Sequence, residues 1–125
     1  MKLTLTAGAL ALALAAGPAM AQEPKPLSIA VLNDKSSVFS DAGGIGSVVA
    51  AQLAIDDAGG TVLGRPVKLL APDHQNKTDV GVTLARQAYD EQGVEALFDI
   101  GNSAISLAVQ ELARERGKIV VHSGS

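Results

Sequence analysis

Cysteine and tryptophan are absent from the 125 residues, and the aromatic side chains amount to two phenylalanines and one tyrosine. Without cysteine there is no disulfide framework and no thiolate metal site. An aromatic content of 2% leaves no stacking platform for bases or sugars. Basic residues are outnumbered, 10 Lys and Arg against 13 Asp and Glu, giving a formal net charge of −3. That balance argues against nucleic acid or an anionic membrane surface as partner. No Gly-Lys-Ser/Thr occurs, so there is no P-loop, and no Gly-x-Ser-x-Gly, so there is no nucleophile elbow.

What is present begins with one long apolar run. Lys2 supplies a positive charge, Leu3 to Ala16 are nearly all Leu and Ala, and Gly17-Pro18 breaks the run. Ala19-Met20-Ala21 then offers the small-x-small pattern read by a signal peptidase. The run is short of the ~20 residues that cross a bilayer. Residues 1–21 are therefore expected to be a cleaved secretory leader, with Gln22 as the mature N-terminus and 22–26 as a polar lead-in. Removing 21 of 125 residues leaves 104, enough for one small domain.

Four compact apolar runs read as buried strands: Leu27 to Asn33, Arg65 to Asp73, Val94 to Gly101 and Lys118 to Ser123. Between them lie three helical patterns. Val48, Ala51, Ile55 and Ala58 form the first stripe, stopped by Gly59-Gly60; Val80, Leu84 and Ala88 form the second, stopped by Gly93. Ile105, Ala108, Val109, Leu112 and Ala113 follow the helical template most closely, with Asn102 or Ser103 as cap and Gly117 as stop. The order β-α-β-α-β-α-β predicts an α/β three-layer sandwich around a parallel sheet. Ligands of such sheets bind beyond the carboxyl ends of the strands. The chain stops just after the fourth strand, so a fragment of a longer protein is expected.

The loops at that edge are 33–46, 73–77, 101–103 and 123–125, rich in Ser, Asn, Asp and Gly. Gly44-x-Gly46-x-x-Val49 is a near match to the dinucleotide fingerprint, and Asp73 ends a strand where a ribose-binding acid would sit. The fingerprint works because its first glycine turns directly after the strand, whereas "DKSSVFSDAG" intervenes here. His74 and His122 end different strands and lack a third ligand at metal spacing, so a hydrogen-bonded loop histidine is the expectation for His74. His122 and Ser123 are neighbours on a strand and so face opposite ways, which disfavours a nucleophile–base pair. Asp56-Asp57 reads as a solvated helix face. Binding remains. Asn102-Ser103 at a helix start and Ser123-Gly124-Ser125 at the next strand end could hold a carboxylate between neutral dipoles. For Ser103, helix cap and ligand contact are equally open, and one hydroxyl can do both.

In order and spacing, "LNDKSSVFSDAGGIGSVVAAQLAIDDAGG", "GRPVKLL", "DHQNKTD" and "NSAISLAVQELARERGKIVVHSGS" resemble the start of the periplasmic solute-binding proteins of ABC importers. The likeness is to the branched-chain amino acid (Leu/Ile/Val-binding) family, of type I periplasmic-binding fold. It covers nearly all of the mature chain. The resemblance implies two α/β lobes joined by a hinge, with 27–125 as the first part of lobe one and the second lobe beyond this sequence. It also implies carboxylate contacts at Ser103, beside Asn102, and at Ser123, Gly124 and Ser125, with Ser36, Ser37 and Phe39 facing the solute's side-chain end. The expected function is capture, without catalysis, cofactor or metal, of a small amino acid or an organic carboxylate, aromatic acids included. The expected place is the periplasm and the expected partner a membrane permease. A ligand-sensing domain of the same fold is the second reading, and a dinucleotide-binding enzyme fragment the third. "FSDAGGIGS" is then the rim of a solute cleft.

Overall fold

The computed structural model describes residues 21–124. The leader expected over 1–21 therefore lies almost wholly outside the described residues, as does Ser125. The elements are β1 (Leu27–Val31), α1 (Gly44–Asp57), β2 (Thr61–Val62), β3 (Arg65–Leu70), α2 (Thr78–Asp90), β4 (Val94–Phe98), α3 (Ser103–Arg116) and β5 (Ile119–Val121). Sheet order is β2-β3-β1-β4-β5, with β3, β1, β4 and β5 mutually parallel.

One element differs from the sequence expectation. Thr61–Val62 pairs antiparallel with the start of β3, with Val62 opposite Arg65. The two residues between, Leu63 and Gly64, both have positive φ (51° and 76°). Two successive positive-φ residues match the twist of a two-residue hairpin. A two-residue strand carries no readable alternation, so the order is β-α-β-β-α-β-α-β.

Strand alternation divides the sheet into two unequal faces. Ala30, Leu32, Val94 and Leu97 meet Ala85, Tyr89, Ile105 and Val109 of α2 and α3 in one buried cluster. On the other face Leu27, Ile29 and Val31 look toward the alanines of α1 across an apolar groove of about 590 Å³. Within α1 only Gly44 and Ile55 are buried, while Ile45, Val49 and Leu53 are exposed. Of the anticipated stripe on α1, Ile55 is buried and Val48 and Ala51 are half-buried, while Ala51 and Ala58 line the groove. In α2 the buried line is Gly81, Ala85, Ala88 and Tyr89, rotated from the Val80–Leu84–Ala88 expectation but sharing Ala88. Small residues took the inward positions because α2 and α3 pack closely. A Cβ added at Gly81 would lie 2.6 Å from Ile105 Cγ2 and 3.4 Å from His74 Cβ. In α3, Ile105, Val109, Leu112 and Ala113 are buried as the periodicity predicts. Asn102 caps its start, Oδ1 accepting from the Ile105 N–H at 3.0 Å, and Gly117 ends it in the left-handed region.

Two long-range contacts fasten the far edges. Tyr89 Oη donates to the Ile119 carbonyl at 2.8 Å, joining α2 to β5. Arg65 at the start of β3 pairs with Glu95 on β4 and donates to the Lys25 and Pro26 carbonyls, spanning β1 between them.

Replacing Gly81 by Ala is expected to destabilise the fold. Overpacking against buried Ile105 costs about 1–3 kcal/mol, against roughly 1 kcal/mol gained from helix propensity; a lowered urea midpoint checks it. Burial also pushes the Tyr89 phenol up to about 12. Tyr89 is the chain's sole tyrosine, so ultraviolet titration should show one phenolate transition near pH 12. A raised folded value means that this contribution to stability is present below the ordinary value of 10 and is lost as pH rises through about 12.

Candidate functional site

Strand order turns around β1: the chain passes from β1 to β3 on one side, then to β4 on the other. In open parallel sheets the crevice at such a switch, outside the carboxyl ends of the strands, is where ligands bind. Here those ends carry Asn33 and Asp34 after β1 and Asp99 after β4.

A hydrogen-bond lattice ties these loops together. The Asn33 carbonyl accepts from the His74 N–H at 3.0 Å, and Asn33 pairs with Asp73 in an isolated parallel bridge. Asn33 Nδ2 donates to the Gly44 carbonyl at 2.9 Å and to Asp99 Oδ2 at 3.0 Å. One amide thereby joins the ends of β1 and β4 to the start of α1. Asp99 has φ of 57°, an uncommon conformation for a non-glycine residue, in which Asp is among the better tolerated types. Burial opposes ionisation of Asp99, but donors from Ser123, Ser47 and Asn33 overcome it and hold its carboxyl below the usual range. Ser123 Oγ is 2.6 Å from Asp99 Oδ1.

Asp34 organises the rim. It is 2% exposed, and its carboxylate accepts from the N–H groups of Ser36, Ser37 and Phe39 and from the Ser37 hydroxyl. Burial alone would raise its pKa; the Ser37 hydroxyl and the three N–H groups outweigh burial and bring it to about 2. Asp73 does the same across loops, accepting from Lys35 N at 3.0 Å, Gln75 N at 2.8 Å and Ser36 Oγ at 2.7 Å. The Lys35 ammonium donates to the Pro72 carbonyl at 2.7 Å; burial depresses its pKa against the pull of Asp73, Asp99 and Asp34.

His74 is fully buried. Nε2 donates to the Ile100 carbonyl at 2.6 Å while Nδ1 accepts from the Asn76 N–H at 3.0 Å, which sets the Nε2–H tautomer. Both ring nitrogens are engaged, in line with the loop-histidine expectation. Among the described residues no group of three or more His, Asp or Glu is placed to hold a metal ion.

The residues expected at the site fall into three places. Phe39 and Gly124 line one cavity of about 310 Å³ together with Asn33, Asp34, Gly43 and Asp99. Ser103 lines a second, of about 290 Å³, with Ser106, Gln110 and His122. Ser123 lines the groove beside α1, with its hydroxyl proton given to Asp99. Ser103 and Ser123 are therefore not brought into one cavity, because alternation sends His122 and Ser123 to opposite faces and Asp99 captures the serine. Asn102 is spent on the cap and on Asn76, to whose Oδ1 its Nδ2 donates at 2.6 Å. Ser37 is likewise committed to Asp34. Sequence reasoning missed Asn33 and Asp99; the available signal was a polar residue following each apolar run, just before the chain leaves the sheet.

Replacing Asp34 by Ala removes the acceptor for four donors and should cost about 2–3 kcal/mol, read as a lowered melting temperature. Because its folded pKa is depressed, the Asp34 contribution is present above 3.8 and lost as pH falls through about 2. The acid limb of a stability–pH curve should therefore shrink in Asp34→Ala.

A family profile described as periplasmic binding protein matches residues 26–125. A branched-chain amino acid ABC transporter periplasmic ligand-binding protein from Burkholderia xenovorans LB400 is 45% identical, with a TM-score of 0.77 over 79% of this chain and 26% of its own. A periplasmic binding protein from Burkholderia mallei is 33% identical, with a TM-score of 0.77 over 80% of this chain and 27% of its own. The leucine binding protein LivK of Thermotoga maritima MSB8 is 29% identical, with a TM-score of 0.72 over 79% of this chain and 28% of its own. No curated protein sequence matches. The chain spans just over a quarter of the length of these solved relatives. With the profile covering residues 26–125, a parallel sheet carrying a polar cleft at its switch point, and this likeness to the solved proteins, the chain belongs to the periplasmic binding protein family, of type I fold.

Proposed function

We propose that this chain is the opening part of lobe one of the substrate-binding component of an ABC importer, which captures a small amino acid or organic carboxylate and hands it unchanged to a membrane permease. The observation that carries the reading is the match over 26–125 to a family of periplasmic binding proteins, joined to a polar cavity at the carboxyl ends of β1 and β4. Proteins sharing the fold at 18–20% identity support the solute class. A substrate-binding protein from Streptococcus pneumoniae is in complex with isoleucine, and solute-binding proteins from Rhodopseudomonas palustris are in complex with 3,4-dihydroxybenzoic acid and benzoate.

Residues 1–21 act as the export leader in this reading, and the periplasm is the site of action. Among the described residues no helix is long and apolar enough to cross a membrane. Ser103, at the first turn of α3, offers its hydroxyl beside the positive end of the helix, where a carboxylate is favoured. Gly124 and Phe39 form wall, and Ser123 belongs to the loop after β5. Ser37 and Asn102 support the site by holding its loops. Capture proceeds by closure of two lobes about a hinge, and release by reopening.

Calorimetric titration of the full-length gene product with amino acids and aromatic acids tests this. Micromolar or tighter binding of at least one carboxylate is expected, and Ser103→Ala should weaken it by roughly ten- to a hundredfold, the worth of a hydrogen bond to a charged group. Tight binding of a sugar or metal, with no heat from any carboxylate, would reject the reading.

A further inference from the structure

We propose that the cavity between the ends of β1 and β4 is a donor-reading subsite, in which Asn33 and Asp99 accept hydrogen bonds from an ammonium or hydroxyl group of the solute. This rests on the solute-binding reading and specifies which end of the solute lobe one holds there.

Asn33 is the first observation. It lines the cavity, is 3% exposed, and its Oδ1 has no hydrogen-bond partner. The amide cannot turn over to relieve this, since Nδ2 already donates to the Gly44 carbonyl and the Asp99 carboxylate. An acceptor buried without a donor is a rarity that a bound donor resolves. Asp99 is the second. A carboxylate has about four lone-pair directions, and Ser123, Ser47 and Asn33 use three of them. One acceptor position stays open.

The charges around the cavity point the same way. A Cβ at Gly43 would lie 3.1 Å from Asp99 Oδ2, so the carboxylate already sits at the positive end of α1. A solute anion entering there would meet Asp99 and Asp34. The nearby ammonium of Lys35 is turned to the Pro72 and Val31 carbonyls. The walls are otherwise Phe39, Ala42 and four glycines, leaving little but backbone and acceptors to face a solute. The carboxylate end of the solute belongs with hydroxyl and N–H donors such as those at Ser103.

Three probes separate the possibilities on full-length protein: isoleucine carries an ammonium, 3,4-dihydroxybenzoate carries hydroxyls, and benzoate carries no donor. At least one donor-bearing probe should bind roughly tenfold or more tightly than benzoate. Asp99→Asn keeps size and tolerance of positive φ while removing the charge, and it should erase most of that preference. Ala42→Phe fills the cavity from an exposed position without touching the network, and it should erase the preference even if Asp99→Asn melts early. Benzoate binding as tightly as both other probes, or a preference that survives Ala42→Phe, overturns the subsite and leaves a trapped water as the partner of Asn33. Failure of every carboxylate and amino acid to bind would instead bring down the solute-binding reading itself.

Discussion

The bond from the Asn33 amide to the Asp99 carboxylate holds together the place where this sheet changes direction. Beyond the ends of the parallel neighbours β1 and β4 stand Asn33 and Asp99, and the Asn33 side chain bridges the two while reaching the first carbonyl of α1. Three elements, one of them reached across 66 residues of sequence, are thereby fixed at one point, with a cavity beside it. The arrangement holds Asp99 in a left-handed conformation with its carboxyl below the usual range, and glycine at 43 leaves it room, since a Cβ there would lie 3.1 Å from Asp99 Oδ2 and 3.2 Å from Ser47 Oγ. A polar network in so confined a place is effective only when nearly every member is satisfied. The open Oδ1 of Asn33 stands out against that background.

Around this point the rim is built by carboxylates that serve as acceptors for backbone. Asp34 folds the loop after β1 around itself, and Asp73 binds that loop to the one after β3. Such loops gain rigidity without apolar burial, which their Ser- and Gly-rich composition could not supply. The arrangement also explains why several serines of the rim present so little to a solute: their hydroxyl protons are already directed inward.

Much of the fold was legible because the sheet is parallel and buried. Uninterrupted apolar runs, glycine stops and a strong stripe on α3 left little choice of architecture. What escaped had local physical reasons. β2 is too short to show alternation. The inward line of α2 is made of Gly81, Ala85 and Ala88, residues that hydrophobicity patterns weigh least. The stripe on α1 was drawn for a helix packed flush, yet α1 stands off from the sheet across a groove. In the candidate site, residue types pointed to the carboxyl edge of the sheet, but they could not tell which hydroxyls face outward. That depends on which carboxylates lie nearby, and Asp99 decides it for Ser123.

The tight meeting of α2 and α3 at Gly81 carries a consequence for how sequences of this family can drift. Space at that crossing is shared by Gly81, Ile105 and His74, with no slack for an extra carbon. The three positions behave as one fixed volume divided among three side chains. Across homologues, a bulkier residue at 81 should appear only alongside a trimmed one at 105, so that covariation between these two columns records the distance between the helices.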